Sequence, residues 1–86
     1  MPAMTGDSEY QRVRWHSRRG MLELDLVLEP FVTHCYPGLS EQKQACYRRL
    51  LESEDQDLFN WFLGRVRPTD RELAEMVDQI LEHARS

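Results

Sequence analysis

Apolar residues recur with the 3.6-residue period of an α-helix in several separate stretches of this chain, most clearly near its C-terminus. Leu73, Met76, Val77, Ile80 and Leu81 fall at i, i+3, i+4, i+7 and i+8, with charged and polar residues between them. Pro68-Thr69 opens this helix, and Thr69 with Glu72 has the spacing of a capping box. A second stripe, Leu24, Val27, Leu28 and Phe31, follows Met21, and Leu22 and Leu26 widen it as suits a helix packed on more than one side. LELDLVL also alternates like a strand. No second strand-like run exists to pair with it, and a lone strand leaves its backbone unsatisfied, so helix is the reading. Pro30 removes one backbone donor and is expected to bend this helix, and Pro37-Gly38 to end it.

Three further helices complete the pattern. Ser8 and Gln11 form a capping box that opens a helix running to about Arg18, with Tyr10, Val13 and Ser17 inward and Trp15 on another face. Gly20 breaks it. Ser40 caps a helix from Glu41 to about Glu52, with Tyr47, Leu50 and Leu51 inward and Arg48 and Arg49 outward. A short helix from about Gln56 to Leu63 is apolar almost all round and is stopped by Gly64. The connections are short, which favours antiparallel neighbours. The pattern therefore predicts an all-α fold, a small compact five-helix bundle. The expectation is a single domain at residues 8–86 behind a flexible tail at 1–7.

Composition narrows the class. Hydrophobic content of 41% and charged content of 30% are those of an ordinary globular domain. At 86 residues the core is thin, because a chain this small buries only about 60–65% of its unfolded surface. No apolar run approaches the roughly 20 residues needed to cross a bilayer, so no membrane insertion is expected. The first ten residues lack the basic and apolar blocks of a secretory signal, which makes the cytoplasm the expected compartment. Cys35 and Cys46 are too few for a disulfide scaffold and read as reduced thiols. The net charge of −4 argues against nucleic acid as a partner, since such binding depends on clustered cations. Charge is nonetheless uneven. Residues 1–20 hold four arginines against two acids, net +2, and residues 21–86 hold seven basic against thirteen acidic residues, net −6.

The change of sign falls in RRGMLELD, Arg18 to Asp25. Here a fork-shaped cation, a glycine and a carboxylate lie close together, and two uses compete. Arg19 and Glu23, at i and i+4, can simply pair with each other, worth roughly a few tenths of a kcal/mol. Alternatively, Gly20 admits a partner's backbone while Arg19 and Glu23 supply directional hydrogen bonds. Glu23 also suits a helix N-terminus without any partner. In DLFNWFL, aromatics at helical spacing are core candidates, yet one face of a short helix cannot bury all of them. Trp61 is the one placed at the core edge or on an interaction surface, with Asn60 beside it. For enzyme chemistry the sequence offers little. His16, His34 and His83 lie on different helices, no nucleophile elbow or phosphate loop is present, and no convergent polar set emerges, so the expectation is a binding protein rather than an enzyme, with no metal.

RRGMLELD, Pro30-Phe31, a leucine-ended third helix and DQDLFNWF together resemble the succinate dehydrogenase assembly factor family (SdhE type), from about Arg14 to Ile80. The resemblance implies a five-helix protein that binds the flavoprotein subunit of succinate dehydrogenase, and of the related fumarate reductase, and promotes covalent attachment of FAD to a client histidine. FAD is then carried by the client, with no cofactor held stably by this chain. The family's RG-x-x-E motif falls on Arg19, Gly20 and Glu23, with Arg18 adjoining, as the surface expected to meet the client near its flavin. Asp57, Leu58, Phe59, Asn60 and Trp61 match a second motif, of which Asp57, Asn60 and Trp61 are the partner-binding candidates. Family members often carry proline just before this motif where this chain has Gln56, a change expected to alter local stiffness more than function. A monomer is expected, with dimerisation through the apolar fourth helix as the alternative. Competing functions are a general interaction module, antitoxin- or inhibitor-like, using the same arginine and tryptophan surface, and delivery of free FAD. The second ranks lower because no dinucleotide fingerprint is present.

Overall fold

Five α-helices follow one another through short connections: α1 (Thr5–Ser17), α2 (Leu22–His34), α3 (Glu41–Leu51), α4 (Asp55–Phe62) and α5 (Arg71–Arg85). A 3₁₀ turn, Tyr36–Gly38, lies between α2 and α3. The structure, a computed structural model, describes residues 5–85, with side chains from residue 9 onward. Residues 1–4 of the tail expected at 1–7 lie outside the described residues. No strand occurs among the described residues, as the pattern predicts.

The second helix is the centre of the bundle, packed against α1, α4 and α5, while α3 packs on α5 and α1. Leu24, Leu28, Phe31 and Val32 of α2 meet Tyr47, Leu50 and Leu51 of α3, Leu58 of α4, and Met76, Val77 and Ile80 of α5. Val13 closes the core from α1. Burying each such side chain stabilises the fold by about 1.5–3 kcal/mol, which is why one thin core suffices. Two polar groups enter it. Ser17 donates its hydroxyl hydrogen to the Val13 carbonyl at 2.9 Å, so the Tyr47 hydroxyl, 2.8 Å away, is the donor to Ser17 Oγ. Burial raises the Tyr47 phenol well above its ordinary range and keeps it protonated.

Helix ends obey local chemistry. Ser40 accepts from the Lys43 N–H at 3.2 Å and caps α3, as expected. At the end of α4, Gly64 has φ +77°, its N–H bonds the Trp61 carbonyl, and the Arg65 N–H bonds the Asn60 carbonyl. This is a Schellman stop, and the positive φ explains why glycine stands there.

Four expectations need correction. The first helix begins at Thr5, before the Ser8 cap, because propagation adds a hydrogen bond per residue and outweighs the ~1 kcal/mol cost of Gly6. The second helix runs through Pro30 but ends at His34, short of Pro37-Gly38. Pro37 has no N–H to offer the Thr33 carbonyl, so the chain tightens into the 3₁₀ turn. Leu22 and Leu26 are not packed against a second layer; both lie on the open side of α2. At α5 the cap is Asp70 rather than Thr69. Its Oδ1 accepts the N–H groups of Glu72 at 2.8 Å and Leu73 at 3.2 Å, the reach of a residue directly before the first helical one.

Candidate partner-binding surface

The turn joining α1 to α2, residues 18–21, is built around a largely covered arginine. The Arg19 side chain is only 12% exposed. Its Nε donates to Asp55 Oδ1 at 2.8 Å, Nη1 to the carbonyls of His16 at 3.1 Å and Leu51 at 2.8 Å, and Nη2 to the Ser53 carbonyl at 2.8 Å. One guanidinium thus ties the end of α1, the end of α3 and the first turn of α4 into a single corner. The backbone N–H of Arg19 donates to Asp25 Oδ1 at 2.9 Å, so the acidic end of RRGMLELD pins the turn from the other side. Of the two uses the sequence leaves open for Arg19, pairing with Glu23 does not occur.

The corner holds up the next residues of the turn for display. Gly20 is exposed with φ +79°, the left-handed region that disfavours any residue with a Cβ. A Cβ there would meet no atom within 4 Å, so the space outside it is open. Glu23 is exposed in the first turn of α2 and forms no ion pair among the described residues. Met21, the N-cap residue, offers no side-chain cap, so the acidic first turn of α2 answers the helix dipole instead. Arg18 points away from the corner, with its guanidinium 5.9 Å from the centre of the Trp15 ring.

The start of α4, two residues before the second motif, is fixed beside the α1–α2 turn because Arg19 holds Asp55. Asp57 is exposed in the first turn of α4, and Asn60 and Trp61 are half-buried. Trp61 packs on the edge of the core with Phe59 and Phe62, the position its spacing suggested, while Leu58 is fully buried. Arg19, Gly20 and the start of α4 are therefore one continuous feature. No hydrogen bond joins Glu23 to Asp57 or Asn60 among the described residues, and the Arg18 guanidinium lies over Trp15 of α1.

Sequence reasoning missed Asp25 and Asp55. Both are ordinary acids by spacing, and only the folded chain brings them onto the backbone and side chain of Arg19. It also missed the meeting of the α2 and α5 ends, where Cys35 Sγ lies 3.4 Å from His83 Nδ1 and the His34 and His83 rings are 5.8 Å apart. Both cysteines are free thiols, and burial raises the Cys46 thiol above its ordinary value. No group of three or more potential metal ligands forms among the described residues. No helix among them is long and apolar enough to cross a membrane.

The fold and this surface define a small helical domain that displays a fixed, glycine-bearing turn beside an exposed carboxylate. Comparison with known proteins places that domain: residues 11–84 match the family described as Flavinator of succinate dehydrogenase (Sdh5), and the chain belongs to that family. Among its relatives, the FAD assembly factor SdhE of Pseudomonas aeruginosa is 54% identical over 79 residues, covering 92% of this chain and 94% of the relative. The proteins of that name in Idiomarina loihiensis and Aliivibrio fischeri are 49% and 46% identical, covering 87% and 93% of this chain and 83% and 93% of each relative.

Proposed function

We propose that this protein is an assembly factor that binds the flavoprotein subunit of succinate dehydrogenase, and of the related fumarate reductase, and promotes covalent attachment of FAD to it. Membership of the flavinator family across residues 11–84, which include every residue of the Gly20–Glu23 turn and of α4, carries the reading. The relatives' shared name, FAD assembly factor, points the same way.

In this reading the chain is not an enzyme and holds no cofactor of its own. The client supplies the FAD and the histidine that reacts with it. The factor needs only to bind the reactive arrangement of the client more tightly than other arrangements, and the population follows from that difference. A client that is competent 1% of the time becomes predominantly competent when the preference reaches about 10⁴-fold. Gly20 serves by letting client backbone approach, Glu23 by accepting hydrogen bonds from it, and Arg18, Asp57, Asn60 and Trp61 by flanking the contact. Arg19 serves by holding the turn in shape. The protein works as a cytoplasmic monomer.

The test is flavin fluorescence of the denatured flavoprotein subunit in a gel, from cells with and without this protein. Signal that survives denaturation reports covalent FAD. Loss without the protein, with recovery by wild type but not by Gly20→Arg, supports the reading. Unchanged fluorescence removes it.

A further inference from the structure

The outer face of the α1–α2 pair is both apolar and cationic, and its leucines lie outside the core. Trp15 is 71% exposed, Leu22 69% and Leu26 63%, the largest exposures of any large apolar side chain among the described residues. Leu22 and Leu26 lie one turn apart on the side of α2 turned away from buried Leu24 and Leu28. The same row reaches Glu29, which lines a groove of about 180 Å³ between the two helices together with Arg14, Trp15 and Arg18. Arg18 stacks on the Trp15 ring and Arg14 lies 5.8 Å from the centre of the Tyr10 ring. Neither guanidinium forms an ion pair among the described residues, although Glu29 borders the same groove. Arg19, Arg48, Arg49 and Arg67 do pair with carboxylates, while Arg12, Arg65, Arg71 and Arg85, like Arg14 and Arg18, form no ion pair among the described residues.

We propose that this face is a second docking surface, for an element of the flavoprotein subunit that presents apolar side chains flanked by carboxylates. The inference rests on the proposed function and extends the contact from RG-x-x-E to Arg14, Trp15, Leu22 and Leu26. Two observations select this occupant. Leu22 adjoins Glu23 in the first turn of α2, so the apolar row continues directly from the displayed turn. Arg14 and Arg18 form no ion pair among the described residues, and an aromatic with stacked arginine is the composition found at the anchoring points of protein interfaces. A second copy of this chain fits less well, because a two-fold contact would bring the same arginine-bearing patch from both copies together.

The experiment is calorimetric titration of the full-length chain into the apo-flavoprotein subunit, for wild type, Leu22→Glu/Leu26→Glu, Arg14→Glu/Arg18→Glu and Glu23→Ala. These are exposed positions, so melting temperatures stay within a degree or two of wild type. The leucine pair is expected to raise Kd by roughly tenfold or more. The arginine pair is expected to raise Kd and to flatten its dependence on salt. Both double variants binding within about twofold of wild type, while Glu23→Ala binds weakly, overturns this face and leaves the proposed function standing. A wild-type chain that does not bind the subunit removes both. Sedimentation showing a wild-type dimer that Leu22→Glu/Leu26→Glu dissociates overturns the inference by assigning the face to a second copy.

Discussion

Arg19 and Asp55 are joined at 2.8 Å between Nε and Oδ1, across 36 positions of sequence, and this bond sets the α1–α2 turn against the start of α4. The same guanidinium holds three carbonyls, so Arg19 is a structural residue inside a motif whose other members are displayed. Within RG-x-x-E, the structural role of Arg19 is therefore separable from the recognition proposed for Gly20 and Glu23. Arg19→Ala strands three carbonyls and a carboxylate in a half-buried corner, and is expected to cost about 2–3 kcal/mol. For a domain this small, that lowers the melting temperature by roughly 10 °C or more. Glu23→Ala, in open solvent, is expected to change stability by less than ~0.5 kcal/mol while weakening binding of the flavoprotein subunit. Denaturant melts of the two variants check the contrast. Equal stability would mean that the Arg19 bonds contribute nothing to the fold.

Gly20 combines two properties that can be pulled apart. Its φ of +79° strains any residue with a Cβ, by about 1–2 kcal/mol, while the space beyond it is empty. Gly20→Arg should thus leave the bundle folded, slightly less stable, and unable to support flavinylation. Asparagine tolerates the left-handed region better than most residues, so Gly20→Asn tests approach with less conformational strain. If close approach is what matters, Gly20→Asn loses flavinylation although its melt stays near wild type. Full activity of Gly20→Asn would assign the glycine to backbone shape alone.

The buried hydroxyl pair makes an asymmetric prediction. Tyr47 donates to Ser17, whose own hydrogen goes to the Val13 carbonyl. Ser17→Ala removes the acceptor and leaves a fully buried phenol hydrogen unpaired, at about 1–3 kcal/mol. Tyr47→Phe takes the donor away and leaves only a spare lone pair on Ser17, at about 1 kcal/mol. Urea unfolding should therefore rank Ser17→Ala as the less stable variant. The reverse order would mean that water or another acceptor reaches Tyr47.

Most of the fold was readable because the cue was periodic and local. The stripes of α2 and α5, the Ser40 cap and the Gly64 stop depend on neighbours within a turn or two, and the structure keeps all of them. Helix ends were less legible where two residues compete for one role, as Thr69 and Asp70 do, since only the carboxylate directly before α5 reaches both orphan N–H groups. The site divided along the same line. Glycine and glutamate at the turn were visible as a motif, but nothing in the spacing of Asp25 or Asp55 says that they meet Arg19. Leu22 and Leu26 misled for a related reason: an apolar row on a helix looks the same whether a second layer of its own chain covers it or none does.

The α5 cap gives the fold an acid-sensitive end. The N–H of Leu73 first, then the Arg49 guanidinium, hold the Asp70 carboxyl below its ordinary value. Arg67 does the same for Asp78 farther along the helix. A folded-state value below the unfolded one means that the carboxylate contributes stability above the unfolded pKa, about 3.9. That contribution is lost as pH falls through the lower folded-state value, because the protonated acid no longer accepts from two N–H groups and an arginine. The melting temperature should accordingly fall as the pH drops below about 4. An asparagine side chain in place of Asp70 would still cap the helix but cannot titrate, so Asp70→Asn should melt near wild type at neutral pH and show a shallower acid limb. Added salt should weaken the exposed arginine pairings and leave the cap, reducing the slope without abolishing it. Parallel acid limbs for wild type and Asp70→Asn would show that the acid sensitivity lies elsewhere in the bundle.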